Sequence, residues 1–136
     1  MLGCCRIMVV EDEALIALDL AMTIEEMGGA VCGPFSSVDR AVACSGEPDA
    51  AILDVDLRCG TVIALADRLR AAGTPFAFHT ARSDLAPLRR RYGLDVPILR
   101  KPARGAALRD LLRTMIEGRL LPPSRAFAPV ALRPAS

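Results

Sequence analysis

Residues 50–56 read AAILDVD, an apolar run of strand length that ends on two aspartates. Runs of similar length without helical spacing occur at residues 6–10 (RIMVV), 30–35 (AVCGPF), 75–79 (PFAFH) and 96–99 (VPIL). Short, almost wholly apolar runs of this kind are typical of strands that are buried on both faces of a sheet. The sequence therefore predicts five buried strands.

The stretches between and after these runs have apolar residues spaced by three and four, which predicts amphipathic helices. Ser36 or Ser37 can cap the second helix, and a fourth helix is predicted from about Asp84 to Tyr92. Glycines that can end the first, third and fifth helices stand at Gly28-Gly29, Gly73 and Gly118.

Strand and helix thus alternate five times in a chain of 136 residues, which is long enough for one hydrophobic core. Short βα units with right-handed crossovers predict an α/β fold, in which a parallel sheet is covered by helices on both faces. We expect this domain to span residues 5–118. Residues 119–136 are rich in Pro and Ala and lack periodicity, so they are expected to form a C-terminal tail.

Polar residues follow four of the predicted strands: Glu11 and Asp12 the first, Asp54 the third, Thr80 the fourth and Lys101 the fifth. The carboxyl ends of parallel strands form one edge of the sheet, and ligands bind there. Clustered carboxylates repel one another unless a cation joins them, and an all-oxygen site suits Mg²⁺. Asp54 as nucleophile, with Mg²⁺, Lys101 and Thr80 around it, would suit phosphoryl transfer.

The motifs ED at residues 11–12, LDVD at 53–56, HTA at 79–81 and KP at 101–102 occur in an order that resembles the receiver domains of response regulators in two-component systems. The resemblance covers about residues 6–118. It implies a flavodoxin-like (βα)5 fold with a doubly wound, five-stranded parallel sheet in the order 2-1-3-4-5. It also implies a phosphorylation switch of the single-domain type, and not an enzyme.

Carried over to this sequence, the resemblance implies that Asp54 is the phosphoacceptor and that Mg²⁺ is the cofactor. Asp12 and Asp54 would bind the metal directly, Glu11 would act nearby or through water, and the backbone carbonyl of Asp56 would be a further ligand.

The resemblance further implies that Thr80 and Lys101 contact the phosphoryl group, that Ala81 stays small so that the donor can approach, and that the Lys101–Pro102 bond is cis. The chain departs from the family pattern at Ile98, where a Tyr or Phe usually takes part in the switch.

The partners implied are a sensor histidine kinase or a histidine phosphotransfer protein, a downstream protein target, and a second copy bound through the face of the fourth helix, fifth strand and fifth helix. The net charge is +1, which gives no field for gathering nucleic acid or a membrane surface. The five cysteines form no CxxC pair, and the N-terminal apolar run is too short for a signal peptide. We therefore expect reduced thiols and a cytoplasmic protein.

Other functions stay open at this point. The Asp54–Asp56 motif also resembles the nucleophile motif of haloacid-dehalogenase-like phosphatases, which are Mg²⁺-dependent. A flavodoxin-like cofactor binder would need a phosphate-cradling loop after the first strand, where this chain has EDEA. An interaction module with a receiver fold that is not phosphorylated is the third alternative; the intact acidic site argues against it and Ile98 is compatible with it. Taken by themselves, the acidic residues at 11–13 could also be only helix caps or first-turn charges.

Three further features have simpler structural interpretations. His79, the only histidine, is expected to be a hydrogen-bonded core residue. Cys59 lies in the loop after Asp54, and no residue clearly lowers its pKa, which argues against a redox sensor. The run Arg89-Arg90-Arg91 is expected to be a solvated helix face in preference to a docking patch.

Overall fold

The computed structural model describes residues 2–44, 46–57, 61–103 and 105–120. Strands and helices alternate as the sequence predicts. The elements are β1 (Arg6–Val10), α1 (Ala14–Glu26), β2 (Ala30–Phe35), α2 (Val38–Val42), β3 (Ala50–Asp54), α3 (Ile63–Ala71), β4 (Phe76–Thr80), α4 (Ala86–Tyr92), β5 (Ile98–Arg100) and α5 (Gly105–Leu120).

The strands form one parallel five-stranded sheet in the order β2-β1-β3-β4-β5. Strand order reverses at β1, because β2 pairs with one edge of that strand and β3 pairs with the other edge. The predicted flavodoxin-like fold and its strand order are confirmed. Since β1 and β3 lie side by side, the residues that follow them share one end of the sheet.

Alternating side chains of the central strands build a core on each face of the sheet. Met8 and Val10 join Leu53 and Phe78 in one buried cluster, which includes residues from α3 and α4. A second buried cluster contains residues from α1 and α5, and the strands contribute to it the residues Ile7, Val9, Ala50, Ile52 and Ala77. Both faces of the sheet are therefore covered, which explains why the strand segments are apolar throughout.

Several predicted helix ends are confirmed. The backbone N–H of Gly28 donates to the carbonyl of Glu25, and Gly28 has a φ of 85° that favours glycine. The Ser37 side chain caps α2 by accepting from the N–H of Arg40 at 3.3 Å. Gly73 follows α3 and donates to the carbonyl of Arg70. Within the described residues, no helix is both long and apolar enough to cross a membrane.

Four predicted boundaries are wrong. Strand β4 spans Phe76–Thr80 and not residues 75–79. The fifth strand begins at Ile98 and not at Val96, since Pro97 has no N–H to donate to the sheet and only its carbonyl bonds to the N–H of Phe78. Helix α4 begins at Ala86, whose N–H donates to Asp84 Oδ1 at 3.0 Å. Helix α5 passes through Gly118 to Leu120, because one glycine costs only about 1 kcal/mol within a helix.

Candidate functional site

Three carboxylates meet at the carboxyl ends of β1 and β3. Glu11 follows β1 directly, Asp12 is the next residue, and Asp54 is the last residue of β3. One side-chain oxygen from each lies within 4.8 Å of the other two. Glu11 and Asp54 are buried and Asp12 is half-buried. The structure thus brings together the three acidic side chains that the sequence predicts to be a metal site.

Lys101 adds a buried cation to this cluster. Its Nζ donates to Asp54 Oδ1 at 3.1 Å and lies 3.1 Å from Glu11 Oε1. The residue follows β5, and its backbone N–H donates to the carbonyl of Thr80, so the main chain holds it beside β4. The bond between Lys101 and Pro102 is cis, as the family resemblance implies. Lys101 therefore lies where it can stabilise negative charge on Asp54.

Burial and the charges of these groups shift their ionisation. Burial and the neighbouring Asp54 together raise the pKa of Glu11 to about 7, although the backbone N–H of Glu13 and the bond to Lys101 lower it in part. Burial by itself would lower the pKa of Lys101, but its hydrogen bonds to Asp54 and Glu11 outweigh that effect and raise it. One lysine thus compensates only part of the acidic charge.

Helix capping does not account for these acidic residues. Glu13 is the N-cap residue of α1, and its side chain makes no capping hydrogen bond. Glu11 Oε2 accepts from the backbone N–H of Glu13 at 3.2 Å, which uses one oxygen of one carboxylate. Asp54, on the neighbouring strand β3, accepts from the N–H of Asp56 and from Lys101 and caps no helix among the described residues.

The cluster fits a hard divalent cation. Asp54 Oδ1 accepts from the N–H of Asp56 at 2.8 Å and from Lys101, whereas Asp54 Oδ2 is buried and has no hydrogen-bond partner among the described residues. A buried carboxylate oxygen without a partner is costly unless a cation or a donor group binds it. The donors are all oxygen atoms, as Mg²⁺ prefers. An open depression lined by Asp12, Glu13 and Asp56 gives solvent access to this end of the sheet.

Thr80 is tied to Asp56 by its hydroxyl group. Thr80 Oγ1 donates to Asp56 Oδ2 at 3.0 Å, the N–H of Ala81 donates to the same oxygen at 3.1 Å, and Arg82 Nε donates to Asp56 Oδ1 at 2.9 Å. Burial alone would raise the pKa of Asp56, but these three donors lower it. In this structure the Thr80 hydroxyl is therefore directed to Asp56.

The side-chain role of Asp56 was missed by sequence reasoning, which assigned it only a backbone carbonyl. A weak indication exists in the sequence, because Asp56 stands two residues after Asp54 and Arg82 stands two residues after Thr80. Equal offsets from two adjacent strand ends place the two side chains near each other.

Arg100 holds the loop after β4 from the neighbouring strand. Its guanidinium donates to the carbonyl of Arg82 at 3.0 Å and to that of Ser83 at 3.5 Å. Two residues earlier, Ile98 is half-buried and packs against the core cluster that contains Phe78. The loop is thus held by polar contacts from Asp56 and Arg100, while the position of the usual aromatic residue is filled by an aliphatic side chain.

His79 is a core residue as predicted, but the expectation that it is hydrogen-bonded is wrong. Both ring nitrogens are buried and lack a hydrogen-bond partner in the part of the chain that the structure describes. Nδ1 lies 3.8 Å from Glu11 Oε1, too far for a hydrogen bond. Burial and the nearby Lys101 lower the pKa of His79 to about 4, so the ring is neutral at pH 7.

This lowered pKa predicts an acid-dependent loss of stability. Below pH 6.5 His79 becomes protonated in the unfolded chain, whereas in the folded chain it stays neutral down to about pH 4. Because of His79, the free energy of unfolding should therefore be about 2 kcal/mol lower at pH 5 than at pH 7.5. Urea unfolding at both pH values measures it. His79→Gln should show a smaller loss than the wild type, and an equal loss in both proteins would contradict the assignment.

The structure describes one of the two remaining sequence features, the run of three arginines at residues 89–91. Cys59 lies outside the described residues. Arg90 is exposed, in line with a solvated helix face, but its neighbours are engaged: Arg89 donates to the carbonyls of Gly93 and Val96, and Arg91 pairs with Asp67 at 2.6 Å. The run of three arginines is thus partly structural, since Arg89 binds two carbonyls of the segment between α4 and β5.

Comparison with known proteins places this geometry among signalling domains. The signal receiver domain of a modulated diguanylate cyclase from Desulfovibrio desulfuricans superposes with a TM-score of 0.74 at 29% identity, over 85% of this chain and 95% of that one. The chain has the fold of response regulator receiver domains. The receiver fold is also seen in the response regulator PhyR from Brucella abortus, with a TM-score of 0.71 and 26% identity, over 96% of this chain and 52% of PhyR.

A CheY-like receiver domain protein from Methanospirillum hungatei shares the receiver fold with a TM-score of 0.70 at 19% identity, over 85% of this chain and 95% of that chain. This chain therefore spans about half of PhyR but nearly all of the receiver domains to which it is similar. No protein-family model and no curated protein matches the sequence.

Proposed function

We propose that this chain is a phosphorylation-dependent signalling switch that accepts a phosphoryl group on Asp54 from a histidine kinase or a histidine phosphotransfer protein. The observation that carries the proposal is Asp54 itself. It is a buried carboxylate at the end of a central strand, one oxygen bonds to Lys101, and the other oxygen has no hydrogen-bond partner among the described residues.

The residues around Asp54 support an in-line displacement. Asp54 Oδ2 attacks the phosphorus of a phosphohistidine, a P–O bond forms, and the P–N bond to the imidazole breaks. Lys101, held within 3.1 Å of Asp54, offsets the negative charge that the acyl phosphate brings. Thr80 would become a donor to the phosphoryl oxygens once its hydroxyl leaves Asp56.

A Mg²⁺ ion belongs to this proposal. Asp12 and Asp54 would bind it directly, Glu11 would act nearby or through water, and the backbone carbonyl of Asp56 would complete the protein ligands. The ion would supply positive charge at the phosphoryl oxygens and offset the burial and the repulsion from Asp54 that raise the pKa of Glu11. Residues 5–118 would form the switch and residues 119–136 a tail.

Phosphotransfer profiling tests this function. Each sensor kinase of the source genome is labelled on its histidine with radioactive ATP and mixed with the purified chain and Mg²⁺. One kinase is expected to transfer label to the chain within seconds to minutes, far faster than the others. If no kinase and no histidine phosphotransfer protein transfers label to a folded chain, the proposal is wrong.

The structure also predicts which segment changes conformation when Asp54 is phosphorylated. A phosphoryl group on Asp54, which carries nearly two negative charges, should draw the Thr80 hydroxyl away from Asp56, because the phosphoryl oxygens are stronger acceptors than the Asp56 carboxylate. The N–H groups of Ala81 and Arg82, which donate to Asp56 and to Thr80, should then exchange faster. We expect altered hydrogen exchange across residues 81–88 with beryllium fluoride, and little change at Ile98, which stays packed in the core.

Mass spectrometry with and without beryllium fluoride and Mg²⁺ measures this exchange. The Asp54→Asn variant is the control, since it should show no difference. Equal exchange in both states throughout residues 81–88 of the wild type would contradict this account of the switch.

A further inference from the structure

Two cysteines that are distant in sequence meet at the edge of the sheet. Cys32 lies on the edge strand β2 and Cys44 follows α2, and their sulfur atoms are 2.7 Å apart. Non-bonded sulfur atoms rarely come so close, and a disulfide requires about 2.05 Å. Both residues are reduced here, and neither is in a disulfide. A small rotation of the two side chains would therefore allow the sulfur atoms to bond.

A guanidinium group faces both sulfur atoms. Arg6 Nη2 lies 3.3 Å from Cys32 Sγ and 3.8 Å from Cys44 Sγ. The backbone N–H of Arg6 donates to Asp49 Oδ2 at 2.8 Å, and its Nη1 lies 3.5 Å from the carbonyl oxygen of Glu47. The thiolate is the reacting form of cysteine, and a positive charge beside it favours that form. This arrangement has the parts of a reactive dithiol.

We propose that Cys32 and Cys44 form a reversible disulfide by exchange with low-molecular-weight disulfides, with Arg6 assisting the reaction. This site is separate from the acidic cluster and does not rest on the proposed phosphorylation. The disulfide would join the edge strand β2 to the segment that follows α2.

The two cysteines have different parts in the exchange. Cys44 is half-buried and reaches solvent, whereas Cys32 is 5% exposed. The Cys44 thiolate attacks a disulfide RSSR, an S–S bond forms to one sulfur, and the other leaves as a thiolate RS⁻. Cys32 then attacks Cys44 in the mixed disulfide, its proton passes to the departing RS⁻, and RSH is released. Two protein thiols are oxidised and one RSSR is reduced to two thiols.

Cys32 is suited to this second step and not to the first. Burial and the contact with Cys44 together raise the pKa of Cys32 to about 11, although Arg6 lowers it in part. It therefore stays protonated until a mixed disulfide on Cys44 brings an electrophilic sulfur and a basic leaving group next to it.

Oxidised glutathione provides the test. The purified full-length chain is incubated with it, unreacted thiols are alkylated, and the digest is analysed by mass spectrometry. We expect a cross-link between the peptides that contain Cys32 and Cys44, the loss of two hydrogen atoms from the intact mass, and reversal by dithiothreitol. Cys4→Ser and Cys59→Ser should form the same cross-link. No cross-link, or one that requires Cys4, Cys5 or Cys59, would overturn the proposal.

Variants of the pair and of Arg6 separate the steps. Cys32→Ser should accumulate glutathione on Cys44, and Cys44→Ser should form no internal disulfide. Arg6→Gln should form the cross-link several-fold more slowly, while Arg6→Lys, which keeps the charge, should be closer to wild type. Circular dichroism checks that each variant is folded. An unchanged rate in folded Arg6→Gln would overturn the role of Arg6, and preferential labelling of Cys32 would overturn the order of attack.

Discussion

Asp54→Asn is expected to abolish phosphorylation of the chain by acetyl phosphate and Mg²⁺. An amide is a far weaker nucleophile than a carboxylate and cannot form an acyl phosphate. The substitution keeps the size of a side chain that is only 1% exposed, so the fold should persist. Intact-mass spectrometry should show one added phosphoryl group on the wild type and none on the variant.

The matched control for this experiment is Asp110→Asn, which makes the same chemical change on the exposed face of α5. It should be labelled like the wild type. Labelling of Asp54→Asn at another residue, with the same yield as the wild type, would show that Asp54 is not the acceptor.

Removal of the divalent cation should have an effect of similar size. Excess chelator is expected to stop phosphorylation by acetyl phosphate, because Lys101 alone leaves the acidic cluster undercompensated. Asp12→Asn should lower the labelling rate at limiting Mg²⁺ by about 10- to 100-fold, since it removes one charged ligand. The measurement is the initial rate of labelling across a Mg²⁺ titration.

Asp19→Asn serves as the control for Asp12→Asn, because Asp19 is an exposed aspartate on α1 outside the cluster. Its titration should match that of the wild type. If Asp12→Asn also follows the wild-type curve, the carboxylates at residues 11–12 are not part of a metal site.

Much of the fold and the main residues of the site were predictable from the sequence. Apolar runs and amphipathic stretches indicate which faces of the strands and helices are buried. In a parallel sheet with right-handed crossovers, the carboxyl ends of the strands then lie at one edge. That is why Asp54 and Lys101, which are 47 residues apart, could be predicted to meet.

Details that depend on tertiary packing were not predictable. The Asp56 carboxylate turns toward Thr80 because Thr80 and two donors on the loop after β4, Ala81 and Arg82, reach it, and spacing in the sequence does not show which way a side chain points. Among the described residues no group hydrogen-bonds to the His79 ring nitrogens, and Glu11 Oε1 lies 3.8 Å from Nδ1, a distance that the sequence does not reveal. The contact of Cys32 with Cys44 arises because the chain after α2 returns to the edge of the sheet, which no cysteine motif indicates.

The hydrogen bond between Thr80 and Asp56 has a consequence for the background activity of such a switch. Before phosphorylation, turning Thr80 toward Asp54 breaks a bond to a charged acceptor, which costs about 1.5–3 kcal/mol. That cost corresponds to a population of the turned state about ten- to a hundred-fold lower than without the bond. Arg82 and Ala81 donate to the same carboxylate and so hold Asp56 in the position in which it accepts from Thr80. Asp56 would therefore hold the unphosphorylated protein in its inactive conformation. The attraction of Thr80 to the charged phosphoryl group would have to exceed the strength of the Thr80–Asp56 bond before the conformation changes.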